Sequence, residues 1–185
     1  MSRFKNHNVW LAGAMLVLAG ALLVTGCSRS PIGDTSATTE PVLLQRGSST
    51  LAAASLVGEL YADSVISAAE GGRLVLLDVV LDIPAGAVPN DTLFSISIPD
   101  LSKFYNDFGT SGLVFDKPVT VTMSYRDADL TGVDASSIRI GYFNEQSGQW
   151  EDMICTVDPV NMLVTAQLDH FSAYGLISDN PGGGN

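Results

Sequence analysis

The sequence has few of the residues from which catalytic and metal centres are usually built. It contains 2 histidines and 2 cysteines among 185 residues. It has no Gly-rich phosphate loop, GxSxG elbow, CxxC pair or HExxH motif. His7 lies in an N-terminal segment that we expect to be removed, which leaves His170 for the mature chain. A metal centre built on several histidines is therefore excluded, and no cofactor is expected.

Basic residues are also scarce. The chain has 9 Lys and Arg residues against 20 Asp and Glu residues, a net charge of −11. Loss of Arg3 and Lys5 with the N-terminal segment leaves 7 basic against 20 acidic residues, a net charge of −13. The remaining basic residues do not cluster in the sequence. Nucleic acids and anionic lipid surfaces, which need Lys and Arg patches, are therefore not expected as partners.

The N-terminal segment has the three regions of a secretory signal. Arg3 and Lys5 precede an apolar run from Val9 to Val24, which ends in small residues and a cysteine. The alternative is an uncleaved transmembrane helix, but a membrane span needs about 20 apolar residues and this run is shorter. The sequence Val24-Thr25-Gly26-Cys27 resembles a bacterial lipobox.

This resemblance implies cleavage before Cys27 and acylation of Cys27 by palmitate or a related chain, so that residues 1–26 form the signal peptide. One acyl chain anchors a protein only marginally, whereas two or three anchor it stably. We therefore expect a membrane-anchored lipoprotein of the cell envelope. Ser28 is not the aspartate that resembles an inner-membrane retention signal, which favours the outer membrane in a Gram-negative source.

The composition divides the rest of the chain into three parts. Residues 27–62 are expected to form a flexible tether, because Ser28–Ser49 is rich in Ser, Thr, Gly and Pro and has no sustained period. Leu51–Tyr61 fits either a short helix or an early strand. Residues 63–178 form the predicted domain, and residues 179–185 a frayed tail.

Within the predicted domain, apolar and polar residues alternate along several short segments. A strand from Val75 to Ile83 would place Asp78 and Asp82 on its polar face. Shorter alternating runs follow, each separated from the next by turn residues, and their apolar positions are Phe94, Ile96 and Ile98; Val119, Val121, Met123 and Tyr125; Ile138, Ile140 and Tyr142; Met162, Val164, Ala166 and Leu168. Without amphipathic helices between them, these strands predict an all-β fold, an antiparallel β-sandwich.

Five motifs in this region resemble, in the same order, the ZU-five domain of zonula occludens proteins, ankyrins and Unc-type netrin receptors. They are Gly71-Gly72, Asp82–Val88, Phe115–Val121, Trp150 and His170–Tyr174. The resemblance covers roughly Val65 to Ile177 and implies a β-sandwich that acts chiefly as an interaction module. A companion domain and a death domain accompany it in animals, and we do not expect either in this chain. No particular partner is therefore carried over.

Three groups of residues have a chemical and a structural interpretation. Cys155, left without an intramolecular partner once Cys27 is acylated, is interpreted as a buried inert thiol rather than a reactive one. Asp127 and Asp129 fit a weak calcium site, but the EF-hand spacing is missing, and solvated loop acids are the favoured interpretation. A predicted loop from Pro99 to Gly112 carries three aromatic residues, Phe104, Tyr105 and Phe108. They form either a binding surface or a buried lid, and the lid is favoured.

The tripeptide His170-Phe171-Ser172 is the one stretch with a named chemistry. In some members of the resembled family the backbone cuts itself between Phe and Ser of this tripeptide, with His170 and Ser172 as the implied catalytic residues. The alternative, which the sequence favours, is that Phe171 fills the core while His170 and Ser172 make local hydrogen bonds. If His170 and Ser172 catalyse this cleavage, we expect them to share one face of an extended strand.

The expected function is therefore that of a lipid-anchored, non-enzymatic binding or structural module with a protein partner at the cell envelope. The alternative is a self-processing domain that cleaves between Phe171 and Ser172.

Overall fold

The computed structural model describes residues 40–48 and 59–179. The described strands are β1 (Pro41–Leu43), β2 (Leu60–Ile66), β3 (Gly72–Leu76), β4 (Val79–Ile83), β5 (Thr92–Ile98), β6 (Tyr105–Gly109), β7 (Val114–Ser124), β8 (Arg139–Asn144), β9 (Gln149–Asp152), β10 (Cys155–Asp158), β11 (Leu163–His170) and β12 (Ala173–Asp179). A 3-10 turn, Ala135–Ser137, precedes β8. No helix in this part of the chain is long and apolar enough to cross a membrane. The predicted signal peptide and the acylation site at Cys27 lie outside the described residues.

The strands form two antiparallel sheets that pack face to face. The seven-stranded sheet has the order β2-β5-β6-β12-β8-β9, and β1 also pairs with β12. The five-stranded sheet has the order β10-β11-β7-β4-β3. This architecture confirms the predicted antiparallel β-sandwich.

The core lies between the sheets and is built by the predicted alternation of side chains. The inward residues of β5, β7 and β11 are buried while their neighbours in sequence are more exposed: Phe94, Ile96 and Ile98; Val119, Val121 and Met123; Val164, Ala166 and Leu168. Burying one such side chain contributes about 1.5–3 kcal/mol relative to leaving it in water. The period of two in the sequence therefore identified both the strands and the faces that they bury.

The predicted strand from Val75 to Ile83 is wrong in one respect, because it is a hairpin. Leu77 adopts a positive φ of 51°, so the chain turns there, and β3 pairs with β4 through Leu76 and Val79. Val75 and Leu77, expected on the buried face with Val79, are exposed, and Leu74 is buried instead. The two-residue turn shifts the buried positions by one residue, and the sequence hides this shift because apolar residues occupy both faces. Asp78 consequently lies in the turn rather than on the polar face of a strand.

The predicted tether also needs correction, since part of residues 27–62 belongs to the sandwich. β1 pairs with the end of β12, and β2 begins at Leu60. Beyond β1, the backbone N–H of Arg46 donates to the Ser102 carbonyl at 2.9 Å. Asp179, placed in the predicted tail, is the last residue of β12 and pairs with Pro41. The segment is short and has no sustained period, and its strand pairing and the burial of Leu44 and Arg46 depend on residues distant in sequence.

Arg46 is the side chain that fixes this N-terminal segment to the domain. It is 1% exposed, forms a bidentate ion pair with the Asp78 carboxylate, and lies 4.1 Å from the centre of the Phe104 ring. Its Nε also donates to the Lys103 carbonyl. Burial raises the pKa of Asp78, and the bonds from Arg46 offset part of that rise. Each charge of the pair therefore depends on the other to remain in the interior.

We predict that Arg46→Met lowers the free energy of unfolding by about 3–5 kcal/mol, because it leaves the Asp78 carboxylate buried and unpaired. The double variant Arg46→Met/Asp78→Asn should recover part of this loss, since the unpaired charge is removed. Arg73→Met is the matched control: its ion pair with Asp82 is exposed and should be worth no more than about 1 kcal/mol. Chemical unfolding measures all three. An Arg46→Met variant no less stable than Arg73→Met would contradict the assignment.

Candidate functional site

The tripeptide His170-Phe171-Ser172 lies where the chain passes from one sheet to the other. β11 ends at His170 in the five-stranded sheet, and β12 begins at Ala173 in the seven-stranded sheet. The register of β11 also shifts between Leu168 and His170. The prediction that His170 and Ser172 share one face of an extended strand is therefore wrong, because the strand ends at His170. The crossing between sheets could not be read from the alternation of side chains.

Phe171 is buried at this crossing. Its ring is 1% exposed and makes edge-to-face contacts with Phe94 of one sheet and Phe115 of the other, with centroid distances of 5.0 and 4.8 Å. Aromatic pairs of this geometry contribute about 0.5–1.5 kcal/mol each beyond the area that they bury. The expectation that Phe171 fills the core is thus confirmed.

The backbone on both sides of the Phe171–Ser172 bond is held by hydrogen bonds. The Phe171 N–H donates to the Leu113 carbonyl at 3.0 Å, and the Phe171 carbonyl accepts from the Gly112 N–H at 3.3 Å. The Ser172 carbonyl accepts from the Phe108 N–H at 3.1 Å. Gly112 has a φ of +78°, a conformation that favours glycine. The Gly112 N–H therefore points at the carbonyl oxygen of the Phe171–Ser172 peptide bond.

His170 is held by Tyr174, four residues further along the chain. The Tyr174 hydroxyl lies 3.1 Å from His170 Nδ1 and donates to the His170 backbone carbonyl at 2.9 Å. Tyr174 itself is fully buried, and burial, followed by the proximity of Tyr142 and Asp169, raises its pKa well above the usual value. The phenol therefore keeps its proton at any physiological pH.

A surface pocket of about 340 Å³ opens on the tripeptide. His170, Phe171 and Ser172 line it together with the Ser111-Gly112 loop and the turn that follows Asn144. Ser172 is half-buried there. Among the described residues no hydrogen bond joins the His170 ring to the Ser172 hydroxyl. The fold thus brings the two predicted catalytic residues to one pocket without a direct bond between them.

The aromatic residues predicted on a loop from Pro99 to Gly112 lie mostly on a strand. Tyr105–Gly109 is β6, and Phe104 and Phe108 are buried in the core. The preferred interpretation of these two rings as buried is confirmed. Tyr105 alternates with them and is half-buried on the opposite face of the sheet.

That opposite face carries an aromatic cluster that we did not predict, and we call it the outer aromatic face: Trp150, Tyr105 and Phe143. The Trp150 ring lies 6.1 Å from Tyr105 and 5.2 Å from Phe143, measured between centroids. It covers two strand glycines, since a β-carbon added at Gly141 or Gly175 would lie 3.2 or 3.0 Å from the Trp150 ring. Glycine inside a strand often marks such a close approach, and this was the available sequence signal.

A second pocket, of about 390 Å³, adjoins the outer aromatic face. Glu40, Pro41, Gly148, Gln149 and Trp150 line it. Nearby, burial and then the charges of Asp107 and Glu145 raise the pKa of Tyr105. Burial and then Glu145 also raise the pKa of Asp107. Neither of these two carboxylates has a salt-bridge partner within residues 40–48 and 59–179, so the face is aromatic with an acidic rim.

The remaining candidate residues are Asp127 and Asp129, considered for calcium binding, and the Cys155 thiol. Asp127 and Asp129 are exposed, and hydrogen bonds from Thr131 lower the pKa of Asp129. No group of three or more His, Cys, Asp or Glu residues suited to a metal ion is found in the described part of the chain. Cys155 is half-buried on β10, and burial raises the pKa of its thiol, which disfavours the reactive thiolate.

Comparison with protein-family models and with curated proteins finds no match to this chain. The resemblance to ZU-five domains therefore stays a prediction from the five motifs, and the site is interpreted from its own geometry.

Proposed function

We propose that this protein is a lipid-anchored lipoprotein of the cell envelope whose β-sandwich is a non-enzymatic binding module. The observation that supports binding is the outer aromatic face, where three half-buried rings adjoin a pocket that Glu40 also lines. Aromatic side chains supply large contact areas at low entropic cost and are enriched where proteins bind partners. The module is proposed to resemble ZU-five domains in both fold and role.

The anchor is supported by the lipobox sequence ending at Cys27 and by the position at which the folded domain begins. Because β1 starts at Pro41, the chain between Cys27 and the sandwich can span at most about 50 Å, even when fully extended. A tether that reached residue 62 would span about 120 Å. An acylated Cys27 would therefore keep the domain close to the membrane surface, within reach of other envelope proteins.

The partner is proposed to be a protein segment that carries Lys or Arg residues. Glu40 lines the pocket beside Trp150, and the charges of Asp107 and Glu145 act on Tyr105 of the outer aromatic face. A net charge of −11 for the chain adds a long-range attraction for cations. Basic side chains also stack favourably on Trp and Tyr rings. The same charge disfavours an anionic partner.

We predict that a photoreactive amino acid at Gln149, beside Trp150, cross-links to a discrete protein partner in intact envelopes. Thr156, exposed on the other sheet, is the matched control and should give no such adduct. Glu145→Lys should reduce the yield at Gln149, because it reverses a charge on the acidic rim. Equal adducts at both positions, or none at Gln149, would contradict the proposal.

Self-processing between Phe171 and Ser172 is the second candidate function. The observation that favours it is the Gly112 N–H, which donates to the Phe171 carbonyl oxygen, where negative charge would develop. The Ser172 oxygen would attack the Phe171 carbonyl carbon while His170 takes the hydroxyl proton. The C–N bond then breaks with proton transfer to nitrogen, and water hydrolyses the resulting ester. The products are a Phe171 carboxylate and a new amino terminus at Ser172.

We predict for this candidate that the purified protein, incubated at neutral pH, yields two masses under denaturing conditions. Denaturation is needed because β12, which would follow the cut, pairs with β6, β8 and β1 and would stay bound. Ser172→Ala removes the nucleophile and should give one mass. A single uncut mass for the wild type after prolonged incubation would remove this candidate and leave His170 and Ser172 as structural residues.

A further inference from the structure

The Tyr174 hydroxyl makes two contacts but has one proton to donate. A backbone carbonyl oxygen has no hydrogen, so the bond of 2.9 Å to the His170 carbonyl uses the phenolic proton. The second contact, 3.1 Å to His170 Nδ1, then has the hydroxyl oxygen as its acceptor. A hydrogen bond at that distance therefore requires a proton on Nδ1.

A neutral imidazole carries one N–H, so a proton on Nδ1 leaves a lone pair on Nε2. His170 lines the 340 Å³ pocket, and Nδ1 is turned toward Tyr174, so Nε2 is the ring nitrogen available to the pocket. A ring flip would replace Nδ1 by a carbon and lose the bond to the buried hydroxyl. The hydrogen bond thus sets both the orientation and the tautomer of the ring.

We propose that Tyr174 is a positioning residue that holds neutral His170 in its Nδ1–H tautomer, with Nε2 as a proton acceptor toward the pocket. The assignment deepens the self-processing proposal, on which its catalytic consequence rests, since a base must present a lone pair to the Ser172 hydroxyl. The tautomer itself follows from the two contacts of Tyr174 and does not require that the bond is cut.

The burial of Tyr174 makes this arrangement persistent. The residue has no exposed surface, so its hydroxyl depends on protein groups for its hydrogen bonds. Because the raised pKa keeps the phenol protonated, the direction of donation to the His170 carbonyl does not change near neutral pH. The adjacent Tyr142 ring, 5.3 Å from the His170 ring between centroids, packs against the imidazole and further limits its rotation.

The test is nitrogen NMR of the full chain labelled with ¹⁵N-histidine, recorded well above the ordinary histidine pKa of about 6.5. Signals of His170 are identified by their loss in His170→Gln. We expect a protonated Nδ1 and an unprotonated Nε2 in the wild type. Tyr174→Phe, which keeps the ring and removes the hydroxyl, should shift the proton toward Nε2. An Nε2–H tautomer in the wild type would overturn the proposal even if Tyr174→Phe failed to fold, and so would unchanged shifts in a folded Tyr174→Phe.

The cleavage assay separates this inference from the function on which it rests. If the wild type cuts itself, Tyr174→Phe should slow the reaction by about 10²- to 10⁴-fold, the range for a general base that is lost or held in the wrong tautomer. An uncut wild type with the Nδ1–H tautomer would remove self-processing and leave the positioning role of Tyr174 standing. Cutting at an unchanged rate in Tyr174→Phe would overturn that role.

Discussion

The packing of one ring, Phe171, holds the two sheets together where the chain passes from one to the other. The ring contacts Phe94 of the seven-stranded sheet and Phe115 of the five-stranded sheet. Because it is buried, the residues on either side of it are held in place by the same contacts. His170 and Ser172 therefore line a common pocket because the buried Phe171 ring between them holds this part of the chain in place. The constraint that stabilises the sandwich also builds its candidate site.

The Arg46 ion pair extends this rigidity to the N-terminal side of the domain. Arg46 and Asp78 neutralise each other in the interior, and Arg46 covers the buried Phe104 ring. A buried ion pair contributes little net stability, but removal of one partner is costly because the other charge is left buried and unpaired. The segment that follows β1 is thereby fixed to the sandwich. A membrane anchor at Cys27 would act on the folded domain itself, through a short connection.

The sequence predicted the elements that depend on local periodicity and missed those that depend on contacts between distant segments. Alternation identified β5, β7 and β11 and their buried faces, because solvent contacts one face of each strand. It did not reveal the turn at Leu77 or the end of β11 at His170, because at both places the buried positions shift by one residue and apolar side chains lie on either side of the shift. The roles of Arg46 and Trp150 depend on Asp78 and on strand glycines that are distant in sequence. The candidate site was therefore predicted as a set of residues, whereas its hydrogen bonds required the structure.

These features describe a rigid β-sandwich that is proposed to act close to a membrane, and the proposal depends first on the anchor. Metabolic labelling with a fatty-acid analogue tests it most directly, in the full chain and in Cys27→Ser. Because the sulfur of Cys27 is the proposed acyl acceptor, the wild type should incorporate the label and the variant should not. Equal labelling of the two chains, or an unlabelled wild type, would contradict the account.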